Sequence, residues 1–242
     1  MSAYVVATAF GGPEVLSLRA EPLGEPGPGE VLLEVRAAGV NLADVKQYSG
    51  AWGTDERKLP MRLGFEAAGV VRAVGPDAVG PMGPVSVGDE VIAFRIAGGY
   101  ASEVVVPAKA VVPKPEEASW EQAAGLMLVG ATAVHTLAST AVRTGDTVLV
   151  HGAAGGVGAM VVQIAKARGA HVIGTASAGR HQFLRGWGVQ PVEYGRGLAE
   201  RVREIAPGGV DAAIDLVGTD EAIDVSLELV ADRQRIATIA AF

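Results

Sequence analysis

Length, composition and charge describe a globular chain and exclude several classes of protein. The chain has 242 residues, 49% apolar and 19% charged, which suffices for one large or two modest hydrophobic cores. Its net charge of −7, without a Lys/Arg cluster, argues against nucleic acid as a main partner. The chain has no cysteine, so disulfides, a thiolate nucleophile and a cysteine-based zinc site are excluded.

The N-terminus and the apolar runs carry no targeting or membrane signal. The first ten residues, MSAYVVATAF, lack a basic region followed by a long apolar core, so we expect no signal peptide. The longest apolar run, residues 123–134, is interrupted by glycine and threonine and is too short to span a bilayer. We therefore expect a cytoplasmic protein without a membrane partner.

The first part of the chain predicts a β domain. Residues 30–37 alternate between apolar and polar side chains, which is typical of a strand with one buried face. Short strands are also predicted at 69–74, 90–94 and 100–107, separated by Gly, Pro and Asp. Many short strands with turns between them favour a barrel-like β domain over residues 1–115. The apolar residues expected on one face of the first strand are Val31, Leu33, Val35 and Ala37.

A capping-box pattern marks the start of a second domain, expected over residues 116–242. Ser119 is followed three residues later by Gln122, and an Ala-rich helix is predicted from there towards Leu137. Strands and helices then alternate, which predicts an α/β domain with a doubly wound parallel sheet. The predicted strands are 147–151, 171–175, 192–194, 211–217 and 235–240, and the predicted helices are 157–168, 197–206 and 220–231.

The segment from Thr147 to Ser177 places a glycine turn between a strand and a helix. Residues 152–158, GAAGGVG, leave almost no side chain where the strand passes into the helix. A dinucleotide pyrophosphate needs such a bare turn, because its oxygens must approach backbone N–H groups at the helix N-terminus. The surrounding elements favour a cofactor site over a purely structural tight turn. The predicted cofactor-binding residues of the turn are Ala154, Gly155, Gly156, Val157 and Gly158.

The end of the second strand of this segment predicts the choice of nicotinamide cofactor. A site for NAD carries Asp or Glu there to hold the ribose 2′-hydroxyl. The chain has Ser177 and Arg180 instead, and a hydroxyl and a guanidinium suit the 2′-phosphate of NADPH. The alternative is that Arg180 is a surface cation on a helix.

Five motifs in order resemble the medium-chain dehydrogenase/reductase superfamily, and most of all its zinc-free quinone oxidoreductase, or zeta-crystallin-like, branch. The resemblance covers essentially the whole chain. It implies a GroES-like catalytic domain followed by a Rossmann domain, with the active site in the cleft between them. The motifs are GVNLADVKQYSG (39–50), GFEAAGVV (64–71), VGDEVIAF (87–94), GGYASEVVVP (98–107) and AAGGVG (153–158).

Two positions depart from the zinc-dependent alcohol dehydrogenases of that superfamily. Asn41 stands where that branch has a cysteine ligand of the catalytic zinc, and Phe65 stands where it has a histidine. Neither an amide nor a phenyl ring can replace those ligands, and the four histidines show no ligand spacing, so we expect no metal. Without a Lewis acid, reduction of a quinone or an α,β-unsaturated carbonyl by NADPH is favoured over oxidation of an alcohol.

The resemblance also implies roles for four side chains. Asn41 and Tyr48 lie in the loop that the family brings to the nicotinamide. Asn41 would hydrogen-bond the cofactor or the acceptor carbonyl, or is only a turn residue; Tyr48 would donate a proton or only shape the pocket. Thr132 matches a threonine near the nicotinamide, or bonds its own helix backbone. Tyr194 matches a tyrosine near the adenosine phosphate, or is a half-buried strand residue.

The resemblance finally gives expectations for the C-terminal end and for assembly. The family usually continues with a further crossover and strand beyond Phe242, so we expect a shortened Rossmann sheet with strand 234–241 near its edge. Family members commonly pair through that edge, and a homo-oligomer is expected. The leading interpretation is a quinone or enone reductase. The alternative is a non-catalytic NADPH-binding or structural protein of the same fold.

Overall fold

The computed structural model describes residues 1–240, and this part of the chain forms two compact units. Unit 1 comprises Met1–Leu128, and unit 2 begins at Val129. The predicted domain boundary between residues 115 and 116 stays a prediction.

Unit 1 is mainly antiparallel β-structure, as the short strands predict. Four of its strands were expected, at 30–37, 69–74, 90–94 and 100–107, but the pairing of residues 2–7 with 16–21 was missed because the turn between them carries no standard hairpin signal. The strands are β1 (Ser2–Ala7), β2 (Leu16–Glu21), β3 (Glu30–Ala38), β4 (Met61–Arg62), β5 (Glu66–Val74), β6 (Val79–Gly80), β7 (Gly83–Pro84), β8 (Glu90–Phe94), β9 (Glu103–Pro107) and β10 (Val111–Pro113). They form a three-stranded sheet in the order β2-β1-β4, a five-stranded sheet in the order β10-β8-β5-β3-β9, and the hairpin β6-β7.

Strand β3 departs from the simple alternation that its sequence predicts. Val31 and Leu33 are fully buried on one face, as expected. The pairing with β5 shifts register between Val35 and Ala37, which inserts one residue. Ala38 therefore packs with Val31, whereas Ala37 packs on the opposite face. The prediction that Ala37 shares a face with Val31 is wrong for this reason.

Three helices lie in segments for which the sequence predicted a different structure. They are α1 (Leu42–Tyr48), α2 (Trp120–Ala124) and α3 (Met127–Ser139). The first lies within residues 39–50, which were expected to be a loop. The other two replace the single predicted helix, because the chain breaks at Gly125. The capping box is confirmed: Ser119 Oγ accepts from the Gln122 N–H at 3.2 Å, and Gln122 Oε1 accepts from the Ser119 N–H at 2.9 Å.

Unit 2 contains a five-stranded parallel sheet with helices on both faces. Its strands are β11 (Thr147–His151), β12 (His171–Thr175), β13 (Gln190–Val192), β14 (Ala212–Asp215) and β15 (Ile236–Thr238), in the order β13-β12-β11-β14-β15. Its helices, after α3, are α4 (Gly156–Ala167), α5 (His181–Gly186), α6 (Leu198–Ile205) and α7 (Asp220–Leu229).

The central strand β11 shows why the sheet is covered on both faces. Val148 and Val150 pack with Val161 of α4 in one cluster. Leu149 points to the other face, where it packs with Val202 of α6. Alternate residues are thus buried on opposite sides, which is the usual arrangement of a parallel sheet and explains the continuous apolar run of this strand.

The predicted strands and helices of unit 2 are confirmed in place, with differences at their ends. β13 lies two residues before its predicted position, so Tyr194 follows the strand and is not part of it. α5 was not predicted, because its six residues are too few to show a helical apolar repeat. The last strand, predicted over 235–240 from the pattern and over 234–241 from the resemblance, is Ile236–Thr238, and residue 241 lies outside the described residues.

Candidate functional site

The glycine turn of unit 2 is held by the neighbouring strand. Gly152 has a φ of +71°, in the left-handed region that favours glycine. Its N–H donates to Thr175 Oγ1 at 3.0 Å, and the N–H of Ala153 donates to the Thr175 carbonyl at 3.0 Å. Both bonds fix the turn to the end of β12, so the turn has a defined shape before any ligand binds.

Close packing at Gly158 requires a residue without a side chain. A Cβ there would lie 2.3 Å from the Gly152 carbonyl oxygen and 2.7 Å from the Ala153 carbonyl carbon. Gly155 is less constrained: it is the N-cap of α4 with a φ of −79°, and a Cβ would lie 3.3 Å from the same oxygen. Because Gly155 has no side chain that could cap the N-terminus of α4, the first N–H groups of this helix can bind an anion.

A cavity of about 480 Å³ lies at the carboxyl ends of β11, β12 and β14. Ligand pockets have volumes of about 300–1,000 Å³, and parallel sheets bind dinucleotides at this edge. The residues that line it belong to the strand ends, the glycine turn and the start of α7: His151, Gly152, Thr175, Ala176, Tyr194, Val217, Thr219, Glu221 and Ala222.

His151 presents a neutral imidazole to this cavity. Its side chain is buried, and Nε2 lies 3.1 Å from Ser226 Oγ. Ser226 Oγ donates its own hydrogen to the Ala222 carbonyl at 2.7 Å, so it accepts from His151 Nε2–H, which leaves Nδ1 unprotonated. Burial lowers the pKa of His151 to about 4, although the carboxylates of Asp215 and Glu221 oppose this shift.

Of the predicted cofactor-binding residues outside the glycine turn, Tyr194 lines this cavity, whereas Ser177 and Arg180 are not among its lining residues. Ser177 follows β12 and precedes a short 3-10 helix that ends at Arg180, and both side chains are exposed. Residues 175–181 contain no Asp or Glu. Tyr194 lines the cavity and is 57% exposed, so its alternative interpretation as a half-buried strand residue is wrong. Thr132 lies in α3, outside the residues that line the cavity.

Asn41 lies in a buried polar cluster of unit 1. It is the N-cap of α1, where its N–H donates to Asp44 Oδ2 at 2.9 Å. Its Nδ2 donates to Glu66 Oε1 at 2.9 Å, and the other oxygen of Glu66 accepts from the Leu128 N–H at 2.8 Å. Glu66 has no exposed surface, and this burial raises its pKa against the effect of those hydrogen bonds.

Asp44 connects α1 to two other segments of unit 1. Besides the Asn41 N–H, it accepts from the Gly64 N–H at 3.1 Å and from the Tyr100 hydroxyl at 2.8 Å. Burial, followed by the hydrogen bond to Asp44, raises the pKa of Tyr100 above its usual range, so the phenol remains a donor. Sequence reasoning missed Glu66 and Tyr100; the Asn41–Asp44 spacing was the only local signal, since Asn and an acidic residue three positions apart suit a helix start.

The surroundings of Asn41 differ from those of Tyr48. Val40, Leu42 and Trp52 expose 82%, 68% and 56% of their surface. Tyr48 is only 9% exposed and packs in an apolar cluster with Met61. Asn41 thus stands in the chain between two exposed apolar residues, Val40 and Leu42, whereas Tyr48 lies in a core, and the catalytic roles of Asn41 and Tyr48 stay predictions.

The described residues offer neither a cluster of metal ligands nor a membrane-spanning helix. Residues 1–240 contain no group of three or more His, Cys, Asp or Glu side chains arranged to hold a metal ion. Within the same residues, no helix has the length and apolar character needed to cross a bilayer.

Each of the two units contains a match to a known protein family. Residues 27–116 match the family described as alcohol dehydrogenase GroES-like domain, and residues 156–242 match the family described as zinc-binding dehydrogenase. The quinone oxidoreductase of Pseudomonas aeruginosa is 38% identical over 239 residues, which cover 96% of this chain and 71% of that protein. The chain belongs to the medium-chain dehydrogenase/reductase superfamily, in its quinone oxidoreductase branch.

Two further relatives show the range of this similarity. The synaptic vesicle membrane protein VAT-1 homolog of Mus musculus is 38% identical over 220 residues, which cover 88% of this chain and 53% of that protein. The chain thus spans about half the length of this relative. The crystal structure of Escherichia coli quinone oxidoreductase complexed with NADPH has a TM-score of 0.89 and 32% identity, over 99% of this chain and 73% of that one. The predicted fold, a GroES-like domain and a Rossmann sheet, is confirmed.

Proposed function

We propose that this chain is an NADPH-dependent reductase of quinones or α,β-unsaturated carbonyls that works without a metal. The observation that carries the proposal is the bare glycine turn beside a cavity at the carboxyl ends of the parallel strands of unit 2. The likeness to quinone oxidoreductases, one of them complexed with NADPH, supports it.

The residues of unit 2 fit the cofactor. Gly158 allows the backbone of the turn to pack closely, and the first N–H groups of α4 would bind the pyrophosphate. Ser177 and Arg180 would hold the 2′-phosphate, since no acidic residue stands at the end of β12 to repel it. When bound, NADPH supplies the hydride.

The residues of unit 1 suit a conjugated carbonyl acceptor. Asn41 offers a carboxamide for a carbonyl oxygen, and Glu66 fixes the orientation of that carboxamide. The exposed apolar side chains of Val40, Leu42 and Trp52 would contact the carbon frame of such an acceptor and exclude water. Because Asn41 and Phe65 cannot bind zinc, the acceptor must itself be electron-poor enough to take a hydride.

The proposal is tested by titrating the chain with NADPH and NADH while following nicotinamide fluorescence. We expect tighter binding of NADPH. Arg180→Ala should weaken NADPH about tenfold, the scale of one charge-assisted hydrogen bond, and leave NADH unchanged. Equal affinities for the two cofactors in the unmodified chain would contradict the assignment of Ser177 and Arg180.

A glycine pair tests the turn itself. Gly158→Ala should abolish the binding of both cofactors, because its methyl group collides with the Gly152 carbonyl. Gly186→Ala is the matched control, since a Cβ at Gly186 meets no atom within 4 Å. NADPH binding that survives Gly158→Ala would show that the turn is only structural. Turnover of 1,4-benzoquinone and of an enone, with and without a chelator, tests the acceptor class and the absence of a metal.

The homo-oligomeric state and the cytoplasmic location stay predictions. Sedimentation velocity at low micromolar concentration tests the first, and fractionation of cells that express the chain tests the second.

A further inference from the structure

The loop between β13 and α6 carries Tyr194 along the wall of the cavity, and one side chain binds it at three points. This tyrosine loop comprises residues 193–197. The Arg201 guanidinium donates to the carbonyls of Glu193, Gly195 and Arg196 at 2.8, 2.9 and 2.8 Å. The carbonyls on both sides of Tyr194 are therefore bound by the same cation.

A second charged side chain holds the loop from α7. Glu221 Oε2 accepts from the Gly195 N–H at 2.9 Å, and Glu221 itself lines the cavity. Gly195 has a φ of +103° and Gly197 a φ of +80°. Two left-handed glycines would give a free segment many conformations, so these hydrogen bonds select one of them.

Arg201 binds the backbone in a way that an ordinary surface arginine does not. Its Nε is buried, and among the described residues it is the one buried side-chain nitrogen or oxygen without a hydrogen-bond partner. An unpaired buried N–H is unfavourable, so the three bonds to the tyrosine loop must offset it. The side chain is oriented for these carbonyls at the expense of its own complete hydrogen bonding.

We propose that Arg201 and Glu221 are positioning residues, which fix the tyrosine loop so that Tyr194 forms a wall of the subsite for the adenosine half of the cofactor. This inference depends on the proposed function, because it assigns the cavity to NADPH. A loop ordered in advance loses little conformational entropy on binding, so its rigidity contributes directly to affinity. The Tyr194 ring then offers a flat face for the adenosine part of the ligand.

Coupling between Arg201 and Tyr194 is measured with adenosine 2′,5′-bisphosphate, the adenosine half of NADPH, by calorimetry on the full chain. Tyr194→Ala and Arg201→Met should each raise the dissociation constant about tenfold. The double variant should be no more than about twofold weaker than Tyr194→Ala alone, because Arg201 acts through that ring. Additive losses, or no loss for Arg201→Met, would overturn the inference.

Trypsin gives a readout that needs no ligand. The Arg196–Gly197 bond should resist cleavage in the unmodified chain and be cut about tenfold faster in Arg201→Met, since cleavage follows local opening. Arg203→Met is the control, because Arg203 lies on the same helix and, among residues 1–240, forms its ion pair with the exposed Glu228. Equal cleavage in the two variants would show that Arg201 does not hold the loop.

The two experiments separate the inference from the proposed function. If the unmodified chain fails to bind the bisphosphate, the cofactor assignment of the cavity is wrong, whereas the trypsin rates still decide whether Arg201 orders the loop. Should Arg201→Met not fold, Arg201→Lys replaces it in both experiments. Lysine keeps the charge but cannot reach all three carbonyls, so intermediate losses are expected; wild-type behaviour of the lysine variant would contradict the positioning role.

Discussion

Unit 1 buries a carboxyl group and unit 2 buries an imidazole, and burial acts on the two in opposite directions. It raises the pKa of Glu66 and lowers that of His151 to about 4. In both cases the uncharged form is favoured, because a charge loses its hydration in the protein interior. Each unit thus places, next to its candidate site residues, a polar group whose charged form is disfavoured by burial.

Each unit also buries an aspartate, and the two aspartates have similar hydrogen-bond partners. Asp44 in unit 1 accepts from two backbone N–H groups and from the Tyr100 hydroxyl. Asp215 in unit 2 accepts from the N–H groups of Val217 and Gly218 and from the Thr238 hydroxyl. Each aspartate thus organises a loop through backbone donors.

The largest effect is expected from Asp44→Ala. Loss of the carboxylate leaves buried N–H groups without an acceptor, and should destabilise unit 1 by ~3–5 kcal/mol. Urea unfolding in a Trp187→Phe background would measure it, because tryptophan fluorescence then reports on Trp52 and Trp120 only. Tyr100→Phe, which removes one of the three bonds, should cost ~1 kcal/mol. Equal losses in the two variants would mean that the backbone bonds of Asp44 contribute nothing.

The next effect is the response of unit 2 to acid. The pKa of His151 falls from 6.5 when unfolded to about 4 when folded, so stability is fully present above pH 6.5. It should be lost as the pH falls towards about 4, by up to ~3 kcal/mol. Urea midpoints across this range would show it, and His151→Gln should flatten the curve. His171→Gln, at an exposed histidine, should leave the curve unchanged.

The smallest effect is the opposite response of unit 1. The folded pKa of Glu66 lies above the usual 4.5, so stability should fall as the pH rises from about 4.5 through the folded pKa. Glu66→Gln removes this fall and can keep both hydrogen bonds if the Asn41 carboxamide turns over. The variant should gain stability relative to the unmodified chain at pH 8 and gain none at pH 4. A loss at pH 8 would show that the charged form of Glu66 is needed.

The sequence predicts the glycine turn and the strands of unit 2 well, because the signals are local. The run 147–151 and the glycines that follow it are consecutive residues, and a buried parallel strand before a bare turn has few alternatives. The polar cluster of unit 1 was not predicted. Tyr100 reaches Asp44 across 56 positions of the chain, and Glu66 reaches Asn41 across 25, so their partnership depends on the pairing of strands. The role of Arg201 could not be predicted either, because its hydrogen-bond partners are backbone carbonyl groups, which every residue carries.

The inserted residue in β3 bears on how this protein can vary in length. The strand ends at Ala38, three positions before Asn41, and the register shift between Val35 and Ala37 decides which face the last strand residues take. A deletion within 35–37 would turn those last strand residues to the other face and displace the start of α1, so that the Asn41 carboxamide would move away from Glu66. This strand should therefore tolerate substitutions better than insertions or deletions. Homologous chains should keep its length even where their side chains differ.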